Sequence, residues 1–575
     1  MRNVLFALLA FLPFFAGAQS FPTLFETSGG TKTPTYLQVI DWWTKLDAAS
    51  SIVSMKPMGP SDAGYSIHLV LVSADKDFNI ASLKKKGRNI IFVLNGIHPG
   101  EPDGIDASML LVRDIVQNRY KLPANVVLAL VPVYNIGGAL NRSAYYRVDQ
   151  NGPDEFGFRG NAQNLDLNRD FIKADSKNAL TFSRIFHYLN PDVFVDNHVS
   201  NGADYQHVMT LIASQHNRLG GAMGEFMNKQ FEPGMYALMK EKGWDLVPYV
   251  NHFGDTPDKG WSQFWDSPRY SSGYASLFHS FAFVPETHML KPYKQRVAAT
   301  QDLMKSFIEF TAKHGKQITA LRAVAVRDYQ ARTSYPVAWK WDRTKWTDIT
   351  FKGYESGRKP SVISGLPRLY YDRAKPFEKK VPFYNNYIDT LSVAKPVAYI
   401  IPQGWWKVIE RLQANQVTMR ALTKDTTIEV EAYKITGYQA SPRPFEGHHM
   451  NREVRVSKSI NKVSFRKGDY YIPLNQMANR FLVEILEPNT EDSYFAWNFF
   501  DPILGQKEGF SDYVFEETAA KYLNEHPELK YKLEQRRATD SAFAKSAREQ
   551  LSFIYQASPY FEPAYMQYPV YRVVK

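Results

Sequence analysis

Four short apolar runs, at 90–94, 126–133, 193–195 and 281–284, each stop abruptly at polar residues. They lead into Asn95-Gly96-Ile97-His98, Tyr134-Asn135, Asp196-Asn197-His198 and Pro285-Glu286. Short β-branched runs of this kind read as buried strands. Between the first two, Ile105, Met109, Val112 and Val116 keep helical spacing, so the order is strand, helix, strand. This alternation predicts an α/β fold with a mixed, mostly parallel sheet flanked by helices. Open parallel sheets place their ligand sites beyond the carboxyl ends of the strands, where the four polar endings are expected to converge.

Upstream, Leu37, Ile40, Trp43 and Leu46 predict a helical face over 35–46, followed by a turn-rich stretch at 58–64 and a strand at 67–72. Beyond about residue 320 the character changes. Aromatic and polar residues mix from 323 to 396, with turn signals such as Ser364-Gly365-Leu366-Pro367, which predicts an irregular, β-leaning connector. A strand at 397–401, part of a helix at 405–412 and a strand at 417–422 then predict a smaller C-terminal α/β region, and 516–551 is helical in spacing. No internal repeat or heptad array is present.

The 575 residues, 44% of them apolar and 22% charged, have a globular profile and exceed what one hydrophobic core organises. With no cysteine, disulfides, thiolate metal sites and cysteine nucleophiles are excluded, so any metal must be held by His, Asp or Glu. The start, Met1-Arg2-Asn3, an apolar stretch at 4–15 and Ala16-Gly17-Ala18, predicts a signal peptide cleaved after Ala18. No later segment is long and apolar enough for a transmembrane helix, so the expectation is a soluble exported protein, periplasmic or extracellular. The net charge of +11 is scattered, with Lys84-Lys85-Lys86 the longest basic run. That argues against nucleic acid as a partner and leaves a mild attraction for anionic polymers or lipid surfaces.

The sharpest local signal is His98-Pro99-Gly100-Glu101 at the end of a predicted strand. Pro99 stiffens the turn and Gly100 permits backbone angles that other residues resist, so both side chains can be held toward one point. Imidazole and carboxylate suit Zn2+, and His198 at another strand end is the natural third ligand. Two neutral histidines and one carboxylate leave the ion Lewis acidic, with an open position for water. Glu286, at the fourth strand terminus, is positioned to act as the base. A further cluster holds Phe158-Arg159-Gly160-Asn161 and Asn164-Leu165-Asp166-Leu167-Asn168-Arg169. Arg169 offers a planar fork for a carboxylate, with Asn168 beside it, and Arg159 is a second cation for a developing oxyanion. Arg142 and Arg147 compete with Arg159 from the same loop region.

On His98-x-x-Glu101, Asp166-Leu167-Asn168-Arg169, His198 and Glu286, in that order, the sequence resembles the zinc metallocarboxypeptidases, the carboxypeptidase A-like family, over roughly residues 35 to 310. The resemblance implies that His98, Glu101 and His198 hold zinc and that Glu286 serves as general base and acid. It also implies that Arg159 polarises the scissile carbonyl and that Asn168 with Arg169 grips a terminal carboxylate. By the same resemblance Asp166 orients His98 through its other ring nitrogen, and Tyr270, with Tyr274 close behind, stands for the family's substrate-binding tyrosine. The chain departs from the family in carrying Tyr134-Asn135-Ile136-Gly137 where many relatives have an Asn-Pro-Asp-Gly turn, and in following Glu286 with Thr287-His288.

The expected organisation is a signal peptide at 1–18, a zinc carboxypeptidase-like catalytic domain at 19–320, a β-leaning connector at 321–395 and a C-terminal accessory region at 396–575. The expected function is an exported metallocarboxypeptidase that cleaves amide bonds next to a free carboxylate by metal-activated water, on peptides or peptidoglycan-type substrates. The rivals are a zinc amidase or deacylase acting on small N-acyl amino acids or peptidoglycan stem peptides, and a non-catalytic surface-binding protein on the same scaffold. His448, His449 and Glu453 read more simply as an exposed polar loop than as a second metal site, and His207, His216, His252 and His288 as surface or hydrogen-bonded histidines. The aromatic stretch from Tyr370 to Tyr387 reads as packing. The sequence does not specify an oligomeric state.

Overall fold

The computed structural model describes residues 20–574, so the expected signal segment lies outside the described residues. A sheet of nine strands forms the centre. Val53–Pro60, Ser66–Ser73, Val126–Val131, Asn89–Leu94, Val193–Asp196, Phe281–His288, Met209–Ala213 and Val247–Pro248 lie side by side in that order, and His198–Ser200 pairs with Phe281–His288. The middle of the sheet, from Val126–Val131 to Phe281–His288, is parallel. Antiparallel pairs flank it on both sides. The architecture is the expected mixed α/β one.

Strand periodicity decides what each face buries. Ile91, Val93, Leu128, Leu130 and Val195 meet Leu111 of the helix Asp103–Val116 and Met304 and Phe307 of the helix Tyr293–Ala331. Phe92 and Phe194 point the other way, each with its ring centroid 5.9 Å from that of Phe182 in the helix Lys177–Leu189. A sheet covered on both faces needs strands that are apolar throughout, which is why the central strands appear in the sequence as unbroken runs.

Two expectations in the N-terminal part change. The leading helix spans Tyr36–Ala49, opened by a capping box between Thr35 and Gln38, but it buries Val39, Trp42, Trp43 and Leu46 while Leu37 is 58% exposed. The stretch at 58–64 is not a plain turn. Val53–Pro60 is an outer strand paired with Ser66–Ser73, so the turn is the short link between them. Its prolines are tolerated because it lies at the edge of the sheet.

The connector is more regular than expected. Thr347–Pro360 pairs with Pro367–Tyr384, and Ser334–Trp341 with Tyr387–Ala394, as two antiparallel ribbons. The C-terminal region holds a six-stranded sheet in which Ala398–Ile401 lies between Tyr470–Pro473 and Tyr571–Val573. All its pairs are antiparallel, and the long hairpin of Thr426–Ala440 and Asn451–Phe465 forms one side. The charged tail forms helices that close on a small core of Phe515, Leu533, Phe543 and Ile554. Among the described residues no helix is long and apolar enough to cross a membrane.

Candidate metal centre

His98 follows the strand Asn89–Leu94, and the Glu101 N–H returns to the His98 carbonyl at 2.8 Å, closing a tight turn. The role of Gly100 is space rather than backbone angle. The left-handed glycine here is Gly96, at φ 65°, whereas a Cβ on Gly100 would lie 2.8 Å from Arg147 Cδ and 3.0 Å from the Gly157 carbonyl. Glu101 then sits just ahead of the helix Asp103–Val116, where the helix dipole favours a negative charge.

His198 and Glu286 are brought together by strand register. Phe281–Phe283 pair with Val193–Val195, and pairing resumes with Glu286 opposite His198. Pro285, which has no N–H to offer, lies where the ladder is interrupted between Asp196 and His198. Glu286 is therefore inside the strand Phe281–His288, not at its terminus as the sequence predicts.

The two imidazole rings lie 4.9 Å apart between centroids. Glu101 Oε2 is 3.4 Å from His98 Nδ1 and 3.0 Å from His198 Nδ1. The second nitrogen of each ring meets a carboxylate: His98 Nε2 is 2.8 Å from Asp166 Oδ1 and His198 Nε2 is 3.0 Å from Asp196 Oδ2. Among the described residues these three form the one group of His, Asp or Glu donors that could enclose a metal ion, and all three side chains are buried.

The donor set fits zinc. His98 Nδ1 is buried without a hydrogen-bond partner although its ring is fixed by Asp166, and that leaves one lone pair aimed at the shared point. Ligand atoms at zinc distances in a tetrahedral shell lie roughly 3.3 Å from one another, close to the 3.4 and 3.0 Å that separate Glu101 Oε2 from the two imidazole nitrogens. Burial disfavours the charged form of His198, yet Asp196 and Glu101 outweigh it and raise its proton affinity well above that of an ordinary imidazole. Burial also opposes the charge on Glu101, but Arg147 and the two histidines hold its carboxyl far below the usual range.

The remaining sequence-predicted residues line the same cavity of about 470 Å³, with the exception of Asp166, which stands behind His98. Arg159 Nε binds Asp166 Oδ2 at 2.9 Å and its Nη1 lies 3.5 Å from Glu101 Oε1. Arg169 stacks over Tyr270, 4.6 Å from the ring centroid, and its Nη1 donates to the Asn168 carbonyl at 2.9 Å. Asn168 Oδ1 is buried without a partner. Tyr270 precedes the helix Ser271–Leu277, whose Gly273 admits close approach: a Cβ there would lie 2.1 Å from the Ser267 carbonyl. Tyr274, the alternative tyrosine, is fully buried and donates to Asn415, so it is a core residue. Partial burial of Glu286 and the nearby Glu101 push its carboxyl up to about 8, against the lowering effect of His198 and the two arginines.

Sequence reasoning missed several participants. Asp196 holds His198, and its signal was its place two residues before that histidine. Of the two arginines named as competitors of Arg159, Arg147 bonds Glu101 Oε1 at 2.7 Å and so belongs to the centre, whereas Arg142 is tied to Glu155 and the Thr33 and Pro34 carbonyls. Asn135 donates to the carbonyls of Ile97 and Arg159 and accepts from the Gly138 N–H, joining the loops that carry His98 and Arg159. Glu446, from the C-terminal region, accepts the Asp166 N–H at 2.8 Å. His448 pairs with Asp175 at 2.7 Å, while His449 bonds the Ser441 carbonyl and Glu453 accepts from Gln439, so these three do not converge. His207 and His288 are buried and hydrogen-bonded rather than at the surface.

A His-x-x-Glu turn, a distant histidine and a further carboxylate thus meet in one cavity, where the first three side chains could hold a metal ion. Residues 39–217 match the family model described as zinc carboxypeptidase, so this segment is similar to that family. The match includes His98, Glu101, Arg159, Asn168, Arg169 and His198 and ends before Tyr270 and Glu286. Carboxypeptidase 2 of Trichophyton equinum is 20% identical over 489 residues, covering 81% of this chain and 84% of the relative. The counterpart from Trichophyton rubrum is 19% identical over 487 residues, with coverage of 81% and 84%. Among solved structures, a metallo-carboxypeptidase from Pseudomonas aeruginosa aligns with 48% of this chain and 68% of its own, at 16% identity and a TM-score of 0.37. Carboxypeptidase A from Helicoverpa armigera aligns with 50% and 75%, at 15% identity and a TM-score of 0.38.

Proposed function

We propose that this protein is an exported zinc carboxypeptidase that hydrolyses the amide bond next to a free carboxylate in peptides or peptidoglycan-type stem peptides. In this reading 19–320 form the catalytic unit, 321–395 a connector and 396–575 an accessory region. The observation that carries the reading is the meeting of three buried donors, one carboxylate of high proton affinity and two arginines in a single cavity.

His98, Glu101 and His198 would hold the ion, with Asp166 and Asp196 fixing the imidazoles. Zinc, when bound, supplies Lewis acidity and makes water a competent nucleophile near neutral pH. Arg169, braced by Tyr270, and Asn168 grip the substrate carboxylate, which turns a bimolecular encounter into an oriented one. Arg159 donates to the scissile carbonyl oxygen as charge develops there. Glu286 takes the proton from the attacking water and delivers it to the leaving nitrogen, a transfer suited to a carboxylate whose affinity for protons is already raised.

The test pairs metal analysis with mass spectrometry of cleavage products from free and C-terminally amidated peptides. Loss of single residues from the free peptides and none from the amidated ones is the expected result. Cleavage of N-acyl amino acids with no action on peptides would favour the deacylase, and stoichiometric zinc without turnover of any substrate would favour a binding protein.

A further inference from the structure

A second cavity, of about 630 Å³, adjoins the first. The two share Tyr146, Arg147, Asn201 and Phe253 as lining residues, whereas Asn168, Arg169 and Tyr270 line the first alone. The shared wall is held in place: Arg147 bonds Glu101, Gln150 and Asn201 at 2.7, 2.6 and 3.2 Å. The second cavity thus opens on the side of the metal centre marked by Arg147, away from the proposed carboxylate clamp.

Its far wall comes from outside the family-matched segment. Leu369 and Tyr371 belong to the ribbon strand Pro367–Tyr384 and face the cavity together with Met289 and Leu290, just past the strand that carries Glu286. The ribbon is anchored beside the mouth. Arg373 Nε bonds Asp204 Oδ2 at 2.7 Å, and Tyr371 Oη donates to the Asp255 carbonyl at 3.4 Å. Phe253, 61% exposed, adds an aromatic side chain at the junction. Each cavity alone falls within the range of about 300–1,000 Å³ that holds a small ligand, so a single acyl amino acid would leave the second unused.

We propose that the second cavity is a subsite, completed by the connector ribbon, for apolar residues of a peptide lying on the amino-terminal side of the scissile bond. This deepens the carboxypeptidase reading and rests on it. With the terminal carboxylate at Asn168 and Arg169 and the scissile bond at the metal centre, the upstream chain passes Arg147 and Asn201. Its apolar side chains then leave water against Leu369, Tyr371 and Met289. Binding energy gained there, away from the reacting atoms, is available to lower the barrier for long substrates alone.

The experiment compares kcat/KM of the zinc-loaded enzyme on an N-blocked dipeptide and on a hexapeptide with the same last two residues and apolar residues upstream. The wild type is expected to favour the hexapeptide by roughly tenfold or more, the factor that burial of about one apolar side chain supplies. Leu369→Asp, at a half-buried position, is expected to remove that advantage in kcat/KM while dipeptide turnover stays unchanged, and Leu369→Ala, a milder change to the fold, is expected to remove part of it. Equal kcat/KM for both substrates in the wild type, or an equal loss on both in the variants, would overturn the subsite while leaving the carboxypeptidase reading intact. Failure to cleave either substrate would sink that reading and the subsite with it.

Discussion

Asp196 Oδ2 lies 3.0 Å from His198 Nε2, on the opposite edge of the ring from Glu101. Asp196 thereby fixes which ring nitrogen faces the metal centre. Asp196→Asn is expected to weaken zinc binding roughly 10–100-fold, the usual cost of removing a carboxylate behind a histidine ligand. Competition with a chromophoric chelator measures this, and unchanged affinity would show that the contact does not orient the ring.

Replacing Glu286 by Gln is expected to leave zinc content at one equivalent and to abolish peptide hydrolysis. Metal analysis and product detection on the same sample check it, and appreciable turnover would remove Glu286 from the reaction.

Zinc binding is expected to release protons near pH 7. The His198 imidazole is held protonated above its ordinary range, and the Glu286 carboxyl has been pushed up to about 8, so both carry protons at pH 7 before an ion arrives. A dication beside them expels those protons. Calorimetric titrations in buffers of different ionisation enthalpy count them, and affinity is expected to rise from pH 6 to 8.

Asp106 is fully buried between Thr33 and Tyr293, and burial, with help from Asp103, pushes its carboxyl up to about 7. A folded-state value above the unfolded one means that the group's contribution to stability is complete below about pH 4 and is lost as pH rises through about 7. The loss is at most about 4 kcal/mol. Asp106→Asn is expected to flatten the decline of Tm between pH 4 and 8, and an unchanged slope would contradict the assignment.

Gly273→Ala places a methyl group within 2.1 Å of the Ser267 carbonyl and 2.3 Å of the Asp266 carbonyl. A loss of roughly 1–3 kcal/mol in stability is expected, since backbone must move to admit it. Denaturant unfolding measures this.

The parallel core is legible in the sequence because strands buried on both faces cannot include polar positions until they end, and His98, His198 and Asn135 lie just past such endings. The ribbons at 334–394 are harder to read. Solvent covers much of both faces of Thr347–Pro360 and Pro367–Tyr384, so lysines, glutamates and prolines appear where alternation would otherwise mark a strand. The metal-centre donors stand out because their chemistry is local to short motifs, whereas the supports of those donors are set by register and by distant chain. The pairing of Asp196 with His198 depends on the interruption opposite Pro285. Glu446 reaches Asp166 from 280 residues away.

That last contact has a practical meaning for anyone cutting the gene. The backbone beside Asp166 is tied to Glu446, Ala174 to Arg411 at 3.1 Å, Tyr274 to Asn415 at 2.5 Å, and Arg269 to Asp492 at 2.9 Å. A recombinant piece ending near residue 320 would expose each of these groups to water at once, so the part that looks self-sufficient on paper gives up several of its polar partners when it is cut free.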